Sequence, residues 1–170
     1  MSLHPGTDRY NPAGNSDFTR KAEALALGIA IEERYKGLAS PAKMKLAVTG
    51  CPRNCAESLC KDLGVVAVDG GRWEIYVGGA AGAHIRKGDL LATVDSADEV
   101  MTLTGRFLQY YRESANWLER TYKWVPRLGI EHIRAVVVED ADGLAAGLDE
   151  RMQKSVAAYR DPWSDGREPQ

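Results

Sequence analysis

Apolar and polar positions along the chain recur at two different periods, and the switches between them outline the elements. From Asp17 onward, Ala24, Leu27, Ile31, Tyr35 and Leu38 follow at spacings of three and four, which predicts a helix with these residues on one face. Gly37 is a stop signal, and Pro41 lies where a helix can no longer continue. Residues 44–49 alternate large apolar side chains with others and predict a strand leading into Gly50-Cys51-Pro52-Arg53-Asn54-Cys55. A short helical stretch is expected after the cysteines. Residues 65–69 and 72–77 predict two further strands around Gly70-Gly71, a two-residue hairpin signal. In the second of them Trp73, Ile75 and Val77 share one face, with Arg72, Glu74 and Tyr76 on the other.

A glycine-rich loop, Gly78-Gly79-Ala80-Ala81-Gly82, precedes Arg86-Lys87-Gly88-Asp89 and a strand over residues 90–94. Ser96-Ala97-Asp98-Glu99 has the spacing of a capping box. The helix it opens is expected to carry one long stripe: Val100, Leu103, Phe107, Tyr111, Ala115, Leu118 and Tyr122. Two shorter helices are expected around residues 128–138 and 141–156. Residues 1–16 are rich in Gly, Pro, Asn and Asp without period and read as a flexible arm beginning in a leader-like Met1-Ser2-Leu3; residues 161–170 read as a polar tail. Between them, residues 17–160 form one domain with no internal repeat. Helix, strand, hairpin, strand, then helices: this order predicts an α+β fold, a small, mostly antiparallel sheet with helices packed on it and a helical C-terminal segment.

Composition narrows the function classes. The 170 residues suit one domain, and 44% hydrophobic with 27% charged residues is ordinary for a globular protein. A formal net charge of −2 gives no electrostatic reason to expect nucleic acid or an anionic membrane as partner. No apolar run approaches a membrane span, and the first residues lack the regions of a signal peptide, so a cytoplasmic setting is expected. The three cysteines, Cys51, Cys55 and Cys60, lie within ten residues. An odd, clustered set does not form a secreted disulfide framework and fits a reducing compartment.

The Cys-Pro-Arg-Asn-Cys loop is expected between a strand and a helix, where free amides and the helix dipole favour thiolate, with Pro52 at the helix start. Three readings stay open on spacing alone. One is a pair of structural thiols. A second is zinc, for which no other cysteine pair exists and His4, His84 and His132 show no ligand spacing. The third is half of a four-cysteine iron–sulfur site.

A longer string carries a resemblance. Lys45-Leu46-Ala47-Val48-Thr49-Gly50-Cys51-Pro52-Arg53-Asn54-Cys55-Ala56-Glu57-Ser58 closely resembles the second cysteine motif of the NAD(P)H-dependent assimilatory nitrite reductase large subunit, in the nitrite/sulfite reductase family. Lys61-Asp62-Leu63-Gly64-Val65-Val66, Trp73-Glu74-Ile75-Tyr76-Val77-Gly78-Gly79 and Arg86-Lys87-Gly88-Asp89-Leu90-Leu91 also resemble it. So do Leu108-Gln109-Tyr110-Tyr111-Arg112-Glu113-Ser114-Ala115-Asn116, Leu118-Glu119-Arg120-Thr121 and Asp161-Pro162-Trp163.

The resemblance implies a fold like that family's 4Fe-4S domain. It also implies that Cys51 and Cys55 are two of four ligands of a 4Fe-4S cluster, with Cys55 bridging to a sirohaem iron. Six-electron reduction of nitrite to ammonia is the implied activity, with FAD and NAD(P)H on domains this chain lacks. Arg53 and Asn54 are candidates for hydrogen bonds to cluster sulfur or a sirohaem carboxylate, or else for satisfying turn carbonyls. Gly78, Gly79 and Arg86 are candidates for close backbone approach and positive charge at the cofactor, or else for a simple loop with a solvated arginine. Cys60, His84 and His132 are not expected to be ligands.

The sequence also departs from the family pattern. The family's first cysteine pair aligns with Ala13 and Thr19, and no cysteine precedes Cys51. The chain is therefore expected to supply half of the ligands, to hold no cluster on its own and to be inactive in isolation. The expected partners are the missing N-terminal part of the same large subunit, a small subunit, and a second copy through apolar surface near Tyr110, Tyr111 and Trp117. Two alternatives stay open: a non-catalytic relative or interaction module that has lost the cluster, and a sulfite-reducing enzyme.

Overall fold

The computed structural model describes residues 17–160, with side chains from Arg20 onward. The expectations for the arm, the tail, Ala13, the Thr19 side chain and Asp161-Pro162-Trp163 lie outside the described residues. The elements run α1 (Asp17–Tyr35), β1 (Leu46–Thr49), β2 (Leu63–Ala67), β3 (Trp73–Val77), β4 (Ala80–Ala81), β5 (Ile85–Arg86), β6 (Asp89–Val94), α2 (Ala97–Ser114), α3 (Thr121–Leu128), α4 (Ile130–Val137) and α5 (Ala145–Ala158). The α+β class holds. Four strands form the main sheet in the order β1-β2-β3-β6, and β4 pairs with β5 as a small ribbon.

One strand pairing positions the cysteines. β1 and β2 run parallel, with Leu46 opposite Leu63, while β2–β3 and β3–β6 are antiparallel. A parallel neighbour cannot be reached by a tight turn, so the chain crosses over. Residues 50–62 are that crossover, and they contain all three cysteines. β2 is buried at every position, as an inner strand covered on both faces should be. Trp73, Ile75 and Val77 point into the core as their alternation predicts, and Glu74 and Tyr76 stay half-buried.

Three departures from the predicted elements have identifiable causes. The β2–β3 turn takes three residues, not two: Val68 N–H donates to Arg72 O at 2.9 Å, and Asp69, Gly70 and Gly71 lie between. Gly70 and Gly71 both adopt positive φ (75° and 79°), open to glycine without cost. The capping box is present, Ser96 accepting from Glu99 N–H and Glu99 reaching back, but α2 ends at Ser114. Asn116 N–H donates to Glu119 Oε2 at 2.8 Å and Leu118 N–H to Pro41 O at 3.0 Å, so polar contacts take the chain out of the helix. Leu118 sits at φ 62° and is exposed, not on the stripe, and Tyr122 belongs to α3. The helix expected at residues 128–138 is α4 and the last residue of α3, separated by Gly129 at φ 87°.

Trp124 centres the helical side of the core, with the rings of Phe107, Tyr111 and Tyr110 edge-on at 5.6, 5.2 and 5.7 Å. Tyr111 is fully buried, so within the expected apolar patch Trp117 is the large side chain left exposed, at 81%. No helix among the described residues is long and apolar enough to cross a membrane.

Candidate functional site

β1 delivers the chain to Gly50, which packs on the first turns of α1: a Cβ there would lie 3.0 Å from Lys21 Cα and 3.2 Å from Arg20 O. The Arg20 guanidinium donates to Val68 O, pinning α1 to the end of β2. The loop then folds back on itself. Cys51 O accepts from Asn54 N–H (3.2 Å) and Asn54 O from Glu57 N–H (2.9 Å). Asn54 Oδ1 accepts from Leu59 N–H at 3.2 Å. Asn54 and Glu57 both take left-handed backbone, φ 56° and 54°. Asparagine tolerates that region because its short amide bonds locally, whereas glutamate is held there by its neighbours.

No α-helix follows the cysteines. The expected helical stretch is a three-residue 3₁₀ turn, Ser58–Cys60, entered through the left-handed Glu57. Pro52 therefore opens no helix, and the expected helix start just after the cysteines is not formed. Packing decides the outcome: Ser58 is buried, its hydroxyl 2.6 Å from Thr49 Oγ1. A Cβ on Gly64 would sit 1.9 Å from Ser58 O, so a glycine at that place in β2 is what lets the loop lie on the sheet.

A buried carboxylate ties down the far end of the loop. Asp62, 1% exposed, accepts from Lys45 N–H (2.9 Å) and Arg120 Nη2 (2.9 Å), and from the Thr121 hydroxyl. Its main-chain carbonyl accepts from Gly78 N–H, and Lys61 O from Gly79 N–H, both at 2.9 Å. The start of β1, the loop, the β4–β5 ribbon and the start of α3 meet here. Tyr111, donating to Glu119 O nearby, has its phenol pushed up to about 12 by burial first, with the charge of Asp62 adding to it. It stays a neutral donor.

The sequence-predicted residues are thus brought together, with roles that differ. Cys51 is buried, Cys55 exposed and Cys60 between. Gly78 and Gly79 are buried against the main chain of residues 59–62; a Cβ on Gly79 would meet Leu59 O and Lys61 O at 2.6 Å. Arg86 donates to Gly78 O (2.7 Å) and pairs with Asp89 (2.5 Å), bracing the ribbon. Arg53 is exposed beside the cysteines. His84 stacks on Tyr122 at 5.5 Å, and His132 Nε2 lies 2.8 Å from the Tyr110 hydroxyl. Sequence reasoning missed Asp62, Arg120 and Thr121. The available signal was a lone acid beside the apolar run of β2.

A 4Fe-4S cluster takes four thiolates. The chain has three cysteines, and among the described residues no group of three or more His, Cys, Asp or Glu is placed to hold a metal ion. The residues present do not complete such a site.

Comparison with known proteins identifies a family. Residues 10–143 match the family described as nitrite and sulphite reductase 4Fe-4S domain. The NAD(P)H nitrite reductase of Bacillus subtilis (strain 168) is 50% identical over 143 residues, which are 84% of this chain and 17% of that protein. The NADH nitrite reductase large subunit of Escherichia coli (strain K12) is 37% identical over 145 residues, 84% of this chain and 17% of that protein. The assimilatory-type sulfite reductase of Nitratidesulfovibrio vulgaris is 42% identical over 116 residues, 68% of this chain and 53% of that protein. The chain thus spans 17% of the length of both nitrite reductases. Among solved structures, the Mycobacterium tuberculosis NirA protein superposes with a TM-score of 0.54 at 22% identity, covering 66% of this chain and 23% of that one, a likeness of fold.

Proposed function

The chain belongs to the nitrite and sulphite reductase 4Fe-4S domain family, and from that premise we propose that it forms part of the cofactor-bearing region of an NAD(P)H-dependent nitrite reductase. In this reading Cys51 and Cys55 are one of two cysteine pairs that hold a 4Fe-4S cluster, with Cys55 on the side of a sirohaem. The second pair, FAD and the NAD(P)H site belong to other parts of a longer cytoplasmic enzyme, assisted by a small subunit. The cofactors supply the electron chemistry. What this chain contributes is a crossover loop of fixed shape.

The observation that carries the reading is the 50% identity to the Bacillus subtilis enzyme over 84% of this chain. The geometry supports it through rigidity: a buried Cys51 turn and a left-handed Asn54 backed by two glycines and the Asp62 knot hold the thiols on a supported loop. Gly78, Gly79 and Arg86 shape that support from behind, and Asn54 closes the turn between the cysteines. Arg53, exposed beside them, is proposed to meet the cofactor.

A chimera tests the proposal. The matching segment of the Bacillus subtilis enzyme is replaced by that of this chain, keeping the relative's own cysteine pair outside the exchanged segment. The expected result is NAD(P)H-dependent nitrite consumption that Cys51→Ser or Cys55→Ser abolishes and Cys60→Ser leaves intact. A folded chimera without activity, or one indifferent to Cys51 and Cys55, refutes it. The same assay with sulfite addresses a second reading, favoured by the 42% identity to a sulfite reductase. A third reading, a non-catalytic relative, is favoured by the incomplete ligand set.

A further inference from the structure

The turn that leaves α2 exposes two large apolar side chains in succession, Trp117 at 81% and Leu118 at 67%. Leu118 also holds left-handed backbone, φ 62°, which a branched side chain adopts only under constraint. The constraint is the loop that follows α1, where Pro41 O accepts from Leu118 N–H at 3.0 Å. Two residues earlier in that loop, Ala39 O accepts from Arg112 Nε at 2.8 Å. Two residues earlier again, Gly37 receives the ring of Tyr159: a Cβ there would lie 1.9 Å from Tyr159 Cε2. Positions 37, 39 and 41 are thus tied, in order, to the end of α5, to Arg112 and to the exposed turn. Lys43, next but one to Pro41, is exposed, so positive charge flanks the apolar pair on both sides.

We propose that Asp161-Pro162-Trp163, the segment following α5, runs along this loop and seats Trp163 on Pro41, Trp117 and Leu118. Where the described chain ends selects this occupant. It ends at Arg160, one residue past the Tyr159 held at Gly37, and Tyr159 leaves α5 with φ −66° and ψ 132°, an extended conformation. Pro162 favours the same extended backbone at Asp161. Four extended residues span at most about 14 Å, a reach shared by Tyr159 to Trp163 and Gly37 to Pro41. A segment following the loop therefore brings Trp163 level with the exposed turn. Charge agrees with that register: Asp161 comes level with Arg112, and residues 161–170 carry three acids against one arginine. An indole seated there covers apolar surface that otherwise faces water. The inference does not depend on the proposed activity.

Acrylamide quenching of tryptophan fluorescence in the whole chain tests it. Trp73 and Trp124 are buried, at 5 and 0% exposure, so quenching reports on Trp117 and Trp163. Trp163→Ser separates the two cases by sign. A seated Trp163 shields Trp117, and its removal is expected to steepen the quenching slope about twofold. A segment that does not dock gives the opposite result, a shallower slope, because one open indole is lost. Asp161→Lys, which reverses the charge set against Arg112, is expected to steepen quenching as well, most at low salt. Circular dichroism checks that both variants keep the native fold. The shielding should be constant from low micromolar to several hundred micromolar, as a contact within one chain requires. A shallower slope in Trp163→Ser, or no change in either variant, overturns the proposal. So does shielding that fades on dilution, which places another chain on this face.

Discussion

Replacing Asp62 with alanine is the sharpest probe of how the cysteine loop is held. The carboxylate is 1% exposed and gathers the Lys45 amide, the Arg120 guanidinium and the Thr121 hydroxyl, joining β1, the crossover and α3. The substitution leaves an amide and a hydroxyl without acceptors at about 1 kcal/mol each. It also leaves the Arg120 charge unpaired. A fully buried ion pair broken this way costs about 3–5 kcal/mol. The Arg120 side chain is 30% exposed, so water recovers part of that loss, and a total of about 3 kcal/mol is expected. At roughly 2 kcal/mol per M this moves the urea midpoint down by about 1.5 M, and it lowers Tm by roughly 6–12 °C.

Urea titration followed by circular dichroism reads the shift. A cycle with Arg120→Met isolates the charge pair and should give a coupling of about 1 kcal/mol or more. Because the knot closes the end of the loop, the Cys51 thiol should also label faster in the variant under native conditions. A loss below about 1 kcal/mol, with Cys51 labelling unchanged, refutes the idea that Asp62 fixes the loop.

Three further outcomes are expected. In the native chain Cys55 reacts with a maleimide first, Cys60 more slowly and Cys51 last, following their exposure; peptide mapping of early time points checks the order. Ser96→Ala removes the acceptor for the Glu99 amide at the start of α2 and should cost about 1 kcal/mol by urea denaturation. Glu113 and Glu119 are held below the usual carboxylate value of 4.5, first by hydrogen bonds from Arg151 and Arg127 respectively. Their folded forms bind protons less readily than the unfolded chain, so their contribution is complete above about pH 4.5 and is lost as acid titrates through the lowered values. Stability should therefore fall on acidification below that pH, with a shallower slope in the Arg127→Met, Arg151→Met double variant.

Where local signals decide structure, the sequence was readable. The inner face of α1, the alternation in β3 and the Ser96–Glu99 box each lie within one element and needed no distant partner. The helix expected after the cysteines failed because the left-handed backbone of Asn54 and Glu57 is imposed from outside: Ser58 lies on Gly64 of a strand not yet formed when the loop is read locally. The stripe of α2 was extended too far because Glu119 and Pro41, not the periodicity, end that helix. The cysteine pair was visible as a string; Gly78 and Gly79, named through resemblance, pack on residues 59–62 of the same loop, and Arg86 on Gly78 O. The Asp62–Arg120–Thr121 knot joins residues 58 and 59 positions apart, and no period or motif links them.

In the proposed reading this chain carries one supported cysteine pair of a larger site and does not complete the cluster. Iron and acid-labile sulfide analysis with an absorption spectrum tests it most directly, on chain produced with ample iron and sirohaem and kept free of oxygen. Colourless protein with no iron and three titratable thiols is the expected result. About four irons per chain, or two per chain in a dimer, with a broad charge-transfer absorption would contradict it.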